Sequence, residues 1–167
     1  MILATGFDAL TGTLLNMEIS GRNNITLSEY WKAGPLTNLG ISIPNFPNLF
    51  LITGPGSPAV LTNMPRAIEQ HAEWINNCIN FMVTNEYDTI EATHQSAKDW
   101  VASVYNAVKG NFFLSAKHSW YLGGNIVGKP KVFIPYAGGL DQYRQICDSV
   151  AKSDYSGFLF LKYKKKQ

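Results

Sequence analysis

The chain has 167 residues, a mass of 18.5 kDa and a formal net charge of only +2, which is room for one ordinary domain. Hydrophobic residues make up 46% of the sequence and charged residues 16%, a balance typical of globular rather than disordered proteins. The small net charge argues against nucleic-acid binding, and no apolar run reaches the ~18 residues of a membrane span. Cys78 and Cys147 lack the spacing of a disulfide scaffold or zinc site. We therefore expect a cytoplasmic protein.

The N-terminal half predicts two short buried strands followed by a long helix. Residues Met1–Phe7 and Leu49–Ile52 are apolar runs that end near a glycine, as buried strands do. A helix should follow the glycine- and proline-rich segment Gly54–Pro58, and its start is open between Ser57 and Asn63, since either can cap it. Its apolar positions recur at steps of three and four and are Ile68, Ala72, Ile75, Ile79 and Met82.

The C-terminal half predicts two further helices and two short strands. Helices are expected over Ser96–Lys109 and Asp141–Lys152, and strands over Val132–Ile134 and Phe158–Leu161. A glycine-rich, aromatic loop should occupy residues 111–130. This order of elements predicts an α+β fold, or part of an α/β domain.

Three loops contain residues that suit a ligand: Ala4–Asp8, Gly54–Met64 and Ser119–Pro130. A glycine just after a strand lets a backbone approach a ligand closely, and the amides at a helix start favour anions. Trp120 in the third loop is suited to stack on a flat ligand and donate its indole N–H. Each loop also has an ordinary structural alternative, namely a turn, a capped connection and a tryptophan that anchors the fold.

The usual catalytic constellations are absent from the sequence. His71, His94 and His118 lack metal-ligand spacing with each other or with carboxylates, so we predict no metal site. His71 is expected to be a satisfied core or boundary histidine. There is also no nucleophile elbow and no convincing carboxylate pair. The residues therefore predict a ligand-binding surface without a catalytic group.

Taken in order, the three loops and the segments around them resemble the C-terminal part of the Baeyer–Villiger monooxygenases, of the phenylacetone and cyclohexanone monooxygenase type. The similarity covers nearly the whole chain. The stretches that carry it are ATGFDALTG (4–12), WKAGP (31–35), FPNLFLITGPGSP (46–58), LTNM (61–64), IEQHAEWI (68–75), SWYLGGNIVGKP (119–130) and YAGGLDQYRQICDSVA (136–151).

The resemblance implies FAD and NADPH as cofactors, and conversion of a ketone into an ester or lactone through a peroxyflavin. It implies a FAD/NAD(P)-binding α/β fold of two dinucleotide-binding domains. The implied FAD contacts are Thr5, Gly6, Phe7, Asp8, Leu61, Asn63 and Met64, and the implied NADP contacts are Trp120 and Asn125. Leu61 and Met64 would also border the ketone, and the loop of about 111–130 would be mobile and cover NADP.

The sequence also departs from that family. Leu36, Asn38 and Val127 replace an arginine, a tyrosine and a proline common in relatives, which affects the expected substrate range and loop closure. No Gly-x-Gly-x-x-Gly occurs, although the family needs one for each dinucleotide, and the arginine that stabilises the peroxyflavin would lie upstream of Met1.

We therefore expect residues 1–167 to be a single C-terminal fragment of the FAD-binding domain, with the N-terminal Rossmann regions missing. Such a fragment would contain no catalytic residue, would be inactive alone and would not retain its cofactors. Two alternatives stay open. One is a non-catalytic remnant that self-associates through exposed apolar surface, and the other is a half-enzyme that complements a separate N-terminal chain.

Overall fold

The computed structural model describes residues 1–2, 7–116 and 118–163. The α-helices in chain order are α1 (Gly12–Leu15), α2 (Leu27–Tyr30), α3 (Met64–Thr84), α4 (His94–Val108) and α5 (Leu140–Lys152). The strands are β1 (Thr89–Ala92) and β2 (Phe158–Leu161), and single 3₁₀ turns span Arg22–Asn24, Ala59–Leu61, Phe112–Ser115 and Trp120–Leu122. The mixed α+β architecture agrees with the prediction.

Helix α3 is the central element, and its start resolves the alternative that the sequence left open. Asn63 is the N-cap, because its side chain accepts a hydrogen bond from the Arg66 amide at 3.3 Å, with Pro65 in the first turn. Ser57 is fully buried instead. The buried face of α3 consists of Ala67, Gln70, His71, Trp74, Cys78 and Met82.

The two strands pair in antiparallel fashion and close the core over α3 and α5. Ile90 lies opposite Phe160, and Ala92 lies opposite Phe158. Trp74 of α3 packs its ring against Phe158, with centroids 5.6 Å apart, and donates its indole N–H to the Cys147 carbonyl of α5 at 2.9 Å. A second apolar cluster forms beside this core from Leu27, Trp31, Ile43, Phe46 and Leu51.

Two of the predicted strands are wrong, and one strand was missed. In Leu49–Ile52 only an isolated bridge from Phe50 to Ser42 forms. Val132–Ile134 is unpaired as a strand, because the Ile134 amide donates to a loop carbonyl, that of Tyr121. The sequence pattern does not indicate strand β1, because it is only four residues long and includes Glu91, while its partner β2 lies far along the chain.

The predicted strand at Met1–Phe7 falls largely on residues 3–6, which lie outside the described residues. The three long helices are confirmed, with α4 beginning at His94, two residues before its predicted start, and α5 at Leu140, one residue before. None of the helices in the described part of the chain combines the length and apolar character that crossing a bilayer requires.

Candidate functional site

The Gly54–Ser57 segment, which leads into α3, is held by buried side chains from two other parts of the chain. Trp100 of α4 donates its indole N–H to the Gly56 carbonyl at 3.0 Å. Thr37 donates its hydroxyl to the Pro55 carbonyl at 2.6 Å. Both bonds are buried, and each satisfies a carbonyl that would otherwise be stranded away from water. The segment is therefore fixed in place before any ligand arrives.

Gly56 must be a glycine for two separate reasons. Its φ is +90°, in the left-handed region that side chains disfavour. A Cβ there would also lie 3.0 Å from both Thr37 Oγ1 and Trp100 Nε1, the two donors that hold the segment. Because glycine has no Cβ, position 56 can both adopt this backbone conformation and let the two donors approach closely.

The segment also bonds to the extended residues that follow the aromatic loop. The Gly56 amide donates to the Ile134 carbonyl at 2.9 Å, and the Tyr136 amide donates to the Ser57 carbonyl at 2.7 Å. Two of the three loops that the sequence singled out are therefore joined through residues 134–136. Backbone pairing of this kind leaves no sequence pattern, because any residue except proline can supply the donor.

His71 holds the residue at the start of the segment, Thr53. The Thr53 amide donates to His71 Nδ1 at 2.9 Å, His71 Nε2 lies 2.7 Å from the Tyr143 hydroxyl, and that hydroxyl donates to the Leu39 carbonyl at 2.6 Å. Since Nδ1 accepts and the tyrosine proton is used elsewhere, Nε2 must carry the proton and the ring is neutral. Burial lowers the pKa of His71 to about 4. His71 is the satisfied core histidine that the sequence predicted.

Leu61, Asn63 and Met64 lie together where this segment becomes α3. Leu61 ends the 3₁₀ turn Ala59–Leu61, Asn63 caps the 21-residue helix and Met64 is its first residue. Leu61 and Met64 are half-buried and Asn63 is exposed, so all three present surface to a ligand. The unpaired amides at a helix start add a partial positive charge there. This stretch suits the electron-rich edge of a flat cofactor, while the flavin contact itself stays a prediction.

Trp120 lies on the half-exposed surface of the aromatic loop. Its ring stacks on Tyr121 with centroids 4.1 Å apart, in a 3₁₀ turn capped by Ser119. Among the described residues its indole N–H finds no acceptor, whereas the other three tryptophans donate to backbone carbonyls, namely Trp31 to Leu36, Trp74 to Cys147 and Trp100 to Gly56. Trp120 is thus the tryptophan with a donor available for a ligand, as the predicted NADP contact requires.

The structure brings part of the first loop against the third. Asn125 donates its side-chain N–H to the Phe7 carbonyl at 2.9 Å, and Lys129 forms an ion pair with Asp8. The predicted FAD residues Phe7 and Asp8 therefore lie beside the predicted NADP residue Asn125. Thr5 and Gly6 lie outside the described residues. Lys129 was not among the predicted site residues, and the only sequence signal for it was its position between Gly128 and Pro130 in the third loop.

The described residues hold no group that is poised for chemistry. None of them forms a cluster of three or more metal-ligating side chains. Burial raises the pKa of Cys78 to about 12 and that of Cys147 to about 11, so neither thiol is a nucleophile near neutral pH. The described geometry consists of a segment fixed by buried bonds, Gly54–Ser57, and a more exposed aromatic loop.

No protein-family model matches the chain, but individual proteins are similar to it in sequence and in fold. Cyclohexanone 1,2-monooxygenase of an Acinetobacter species is 38% identical over 158 residues, which cover 95% of this chain and 28% of that protein. The structure of OTEMO in complex with FAD and NADP superposes with a TM-score of 0.87 at 30% identity, over 95% of this chain and 29% of that one.

Two structures of cyclohexanone monooxygenase match the chain unequally. The closed structure gives a TM-score of 0.91 at 36% identity, over 96% of this chain and 30% of that one. The open structure gives 0.76 at 31% identity, over 95% of this chain and 27% of that one. The chain thus spans less than a third of the length of the relatives it matches.

The fold is that of the C-terminal part of a class of flavin- and NADP-binding monooxygenases. Within that class, the chain belongs to the Baeyer–Villiger monooxygenases and corresponds to their C-terminal part, as its motifs predicted.

Proposed function

We propose that these 167 residues form the C-terminal part of a FAD- and NADPH-dependent monooxygenase that converts a ketone into an ester or lactone. The observation that carries the proposal is the TM-score of 0.91 with closed cyclohexanone monooxygenase over 96% of the chain. The two accessible stretches, at Leu61–Met64 and at Trp120, add a physical reason, because each offers unused surface where the resemblance requires a cofactor.

On the flavin side, Leu61, Asn63 and Met64 would hold one face of the isoalloxazine, and Phe7 and Asp8 would approach it from the first loop. When bound, FAD supplies the oxygen chemistry and NADPH the reducing electrons. The half-buried Leu61 and Met64 side chains would exclude water and select the ketone by shape, since neither can hydrogen-bond to it. On the other side, Trp120 would donate its indole N–H to NADP.

We further propose that the 167-residue polypeptide by itself does not oxygenate ketones. The sequence contains no Gly-x-Gly-x-x-Gly for either dinucleotide. The purified polypeptide should be colourless and should not consume NADPH when a ketone is added. Stoichiometric FAD together with ketone-dependent NADPH oxidation would overturn this part of the proposal.

A chimaera tests the family function directly. These residues would replace the matching part of the Acinetobacter cyclohexanone monooxygenase, with which they share 38% identity. We expect the chimaera to bind FAD and to convert cyclohexanone with consumption of NADPH. Met64→Gln in the chimaera should raise KM for the ketone about tenfold, because it places an amide against an apolar substrate. A folded chimaera that binds FAD but forms no lactone would contradict the proposal.

The exposed side of α3 favours self-association as a second candidate. Ile68, Ile79 and Val83 lie at helical spacing and are 41%, 43% and 72% exposed. An apolar stripe of this kind is typical of a surface that another protein element covers. Light scattering should show oligomers that Ile79→Lys dissociates, whereas a monomer at high concentration would exclude this candidate. Co-expression with a separate flavoprotein chain would test the half-enzyme alternative.

A further inference from the structure

Three polar contacts fasten the aromatic loop to the Phe7–Ala9 turn. Lys129 forms an ion pair with the Asp8 carboxylate, and its ammonium also lies 3.4 Å from the Ala9 carbonyl. Asn125 donates to the Phe7 carbonyl at 2.9 Å. These contacts join residues more than a hundred positions apart in the sequence. We call Asp8, Asn125 and Lys129 the loop anchor.

Two glycines leave the space that the ion pair occupies. A Cβ on Gly12 would lie 2.6 Å from the Cβ and Cγ of Asp8, so only a glycine lets the carboxylate fold back over the start of α1. A Cβ on Gly123 would lie 3.2 Å from Lys129 Cδ and 3.1 Å from the Pro130 carbonyl, and its φ is +67°. The backbone on both sides is therefore shaped to fit these two side chains, which is not typical of a chance surface pair.

The Lys129–Asp8 pair is about as buried as the Arg22–Glu91 pair, whose side chains are 34% and 11% exposed, and much more buried than the Arg144–Glu73 pair. The Lys129 side chain is only 10% exposed and Asp8 is 36% exposed, whereas Arg144 and Glu73 are 54% and 68% exposed at 3.7 Å. An ammonium that is mostly removed from water needs its carboxylate, because an unpaired buried charge is costly. Movement of the loop away from the Phe7–Ala9 turn must therefore break the pair and rehydrate Lys129.

We propose that Lys129 and Asp8, assisted by Asn125, are positioning residues that hold the aromatic loop against the Phe7–Ala9 turn and thereby set the position of Trp120. This inference rests on the proposed function in one respect, namely that the aromatic loop would face NADP and the Phe7–Ala9 turn would face FAD. The chain, with its anchor formed, superposes better on closed cyclohexanone monooxygenase (TM-score 0.91) than on the open structure (0.76). The anchor thus links the two predicted cofactor segments through one ion pair.

The test uses the 167-residue chain and needs no cofactor, so its outcome is independent of the proposed function. Amide hydrogen exchange of residues 122–126 would be measured in wild type, Asp8→Asn and Lys129→Met. We expect exchange of these amides to accelerate about threefold to tenfold in both variants, the range for a partly buried ion pair. Amides of α3 serve as an internal control and should not change. Lys131→Met, which removes an exposed lysine of the same segment, should leave exchange unaltered.

Three further measurements separate an ion pair from a general loss of packing. The double variant Asp8→Asn, Lys129→Met should exchange no faster than either single variant. Lys129→Arg should keep most of the protection. Exchange in the wild type should accelerate between about 0.05 M and 1 M salt, while Lys129→Met stays insensitive.

Acrylamide quenching provides a second readout, because Trp120 is the tryptophan that is not buried. Its accessibility should increase in Asp8→Asn and not in Lys131→Met. The proposal would be overturned if loop amides in Asp8→Asn and Lys129→Met exchanged no faster than in Lys131→Met. It would also be overturned if the effects of the two single variants multiplied in the double variant.

Discussion

The Gly54–Met64 segment and the loop of residues 111–130 differ in how they are held, although both are predicted to face cofactors. The first is fixed by buried donors, Trp100 and Thr37, that reach it from other elements. In its described residues the second contains two short 3₁₀ turns stabilised by local bonds, and Phe112 is 76% exposed and Val127 fully exposed. The polar anchor at Asp8 ties the second segment down at one end.

This difference indicates a division of labour between the two segments. A segment held by buried hydrogen bonds opens only when the core around it opens, so it is suited to preorganise a flavin contact. A loop held mainly by local turns and by the polar contacts of Asn125 and Lys129 near its end opens at lower cost than a segment held by buried bonds, so it is suited to admit and release a ligand. The chain thus combines a rigid segment with an adjustable one, and the two are joined through residues 134–136.

The largest effect should come from Gly56→Ala. Its φ of +90° and the 3.0 Å approach of the two donors combine backbone strain with overpacking, so we expect about 2–4 kcal/mol of destabilisation in urea unfolding. Gly128→Ala in the loop is the matched control, since its φ is +80° but nothing lies within 4 Å of its added Cβ. That variant should lose only about 1 kcal/mol. Equal losses would show that the two segments do not differ in packing.

The second-largest effect should come from acidification, which lowers the free energy of unfolding through His71, the residue that binds the Thr53 amide. The pKa of His71 is about 4 when folded and near 6.5 when unfolded. The unfolded chain therefore takes up the proton first, so the stability from neutral His71 is full above about pH 6.5 and is lost as the pH falls toward 4. The free energy of unfolding should drop by about 2 kcal/mol between pH 7 and pH 5 from this group.

His71→Gln provides the control for that pH dependence. In His71→Gln the free energy of unfolding should fall less between pH 7 and pH 5 than in the wild type. His118→Gln, which changes an exposed histidine, should show the wild-type pH dependence. Equal slopes for wild type and His71→Gln would mean that burial in the folded chain does not lower the pKa of His71.

A smaller difference in stability is expected between substitutions of Trp100 and Trp120. Trp100→Phe keeps most of the ring but strands the Gly56 carbonyl, so we expect about 1–2 kcal/mol of destabilisation. Trp120→Phe in the loop removes no intramolecular hydrogen bond seen among the described residues and should cost no more than about 0.5 kcal/mol. Thermal unfolding of the two variants side by side gives the comparison. A larger loss for Trp120→Phe would reverse it.

Periodicity predicted the long helices, because α3, α4 and α5 each bury one face, and the cap at Asn63 was among the alternatives considered. The strands were less predictable, since the Leu49 and Leu51 amides donate to the loop carbonyls of Phe46 and Ile41 and not to a neighbouring strand. The family motifs identified the candidate site residues. They could not reveal the Asp8–Lys129 pair or the His71–Tyr143 contact, which exist only once the chain has folded.

Amide hydrogen exchange of the wild-type chain tests the central claim, that one predicted cofactor segment is rigid and the other is adjustable. The amides of Gly56 and Tyr136 donate to Ile134 and Ser57, and those of Gly124 and Ile126 donate to Ser119 and Gly123. We predict that the first two exchange only with global unfolding and are about a hundredfold or more slower, relative to unfolded-chain rates, than the second two. Similar protection of all four amides would contradict the account.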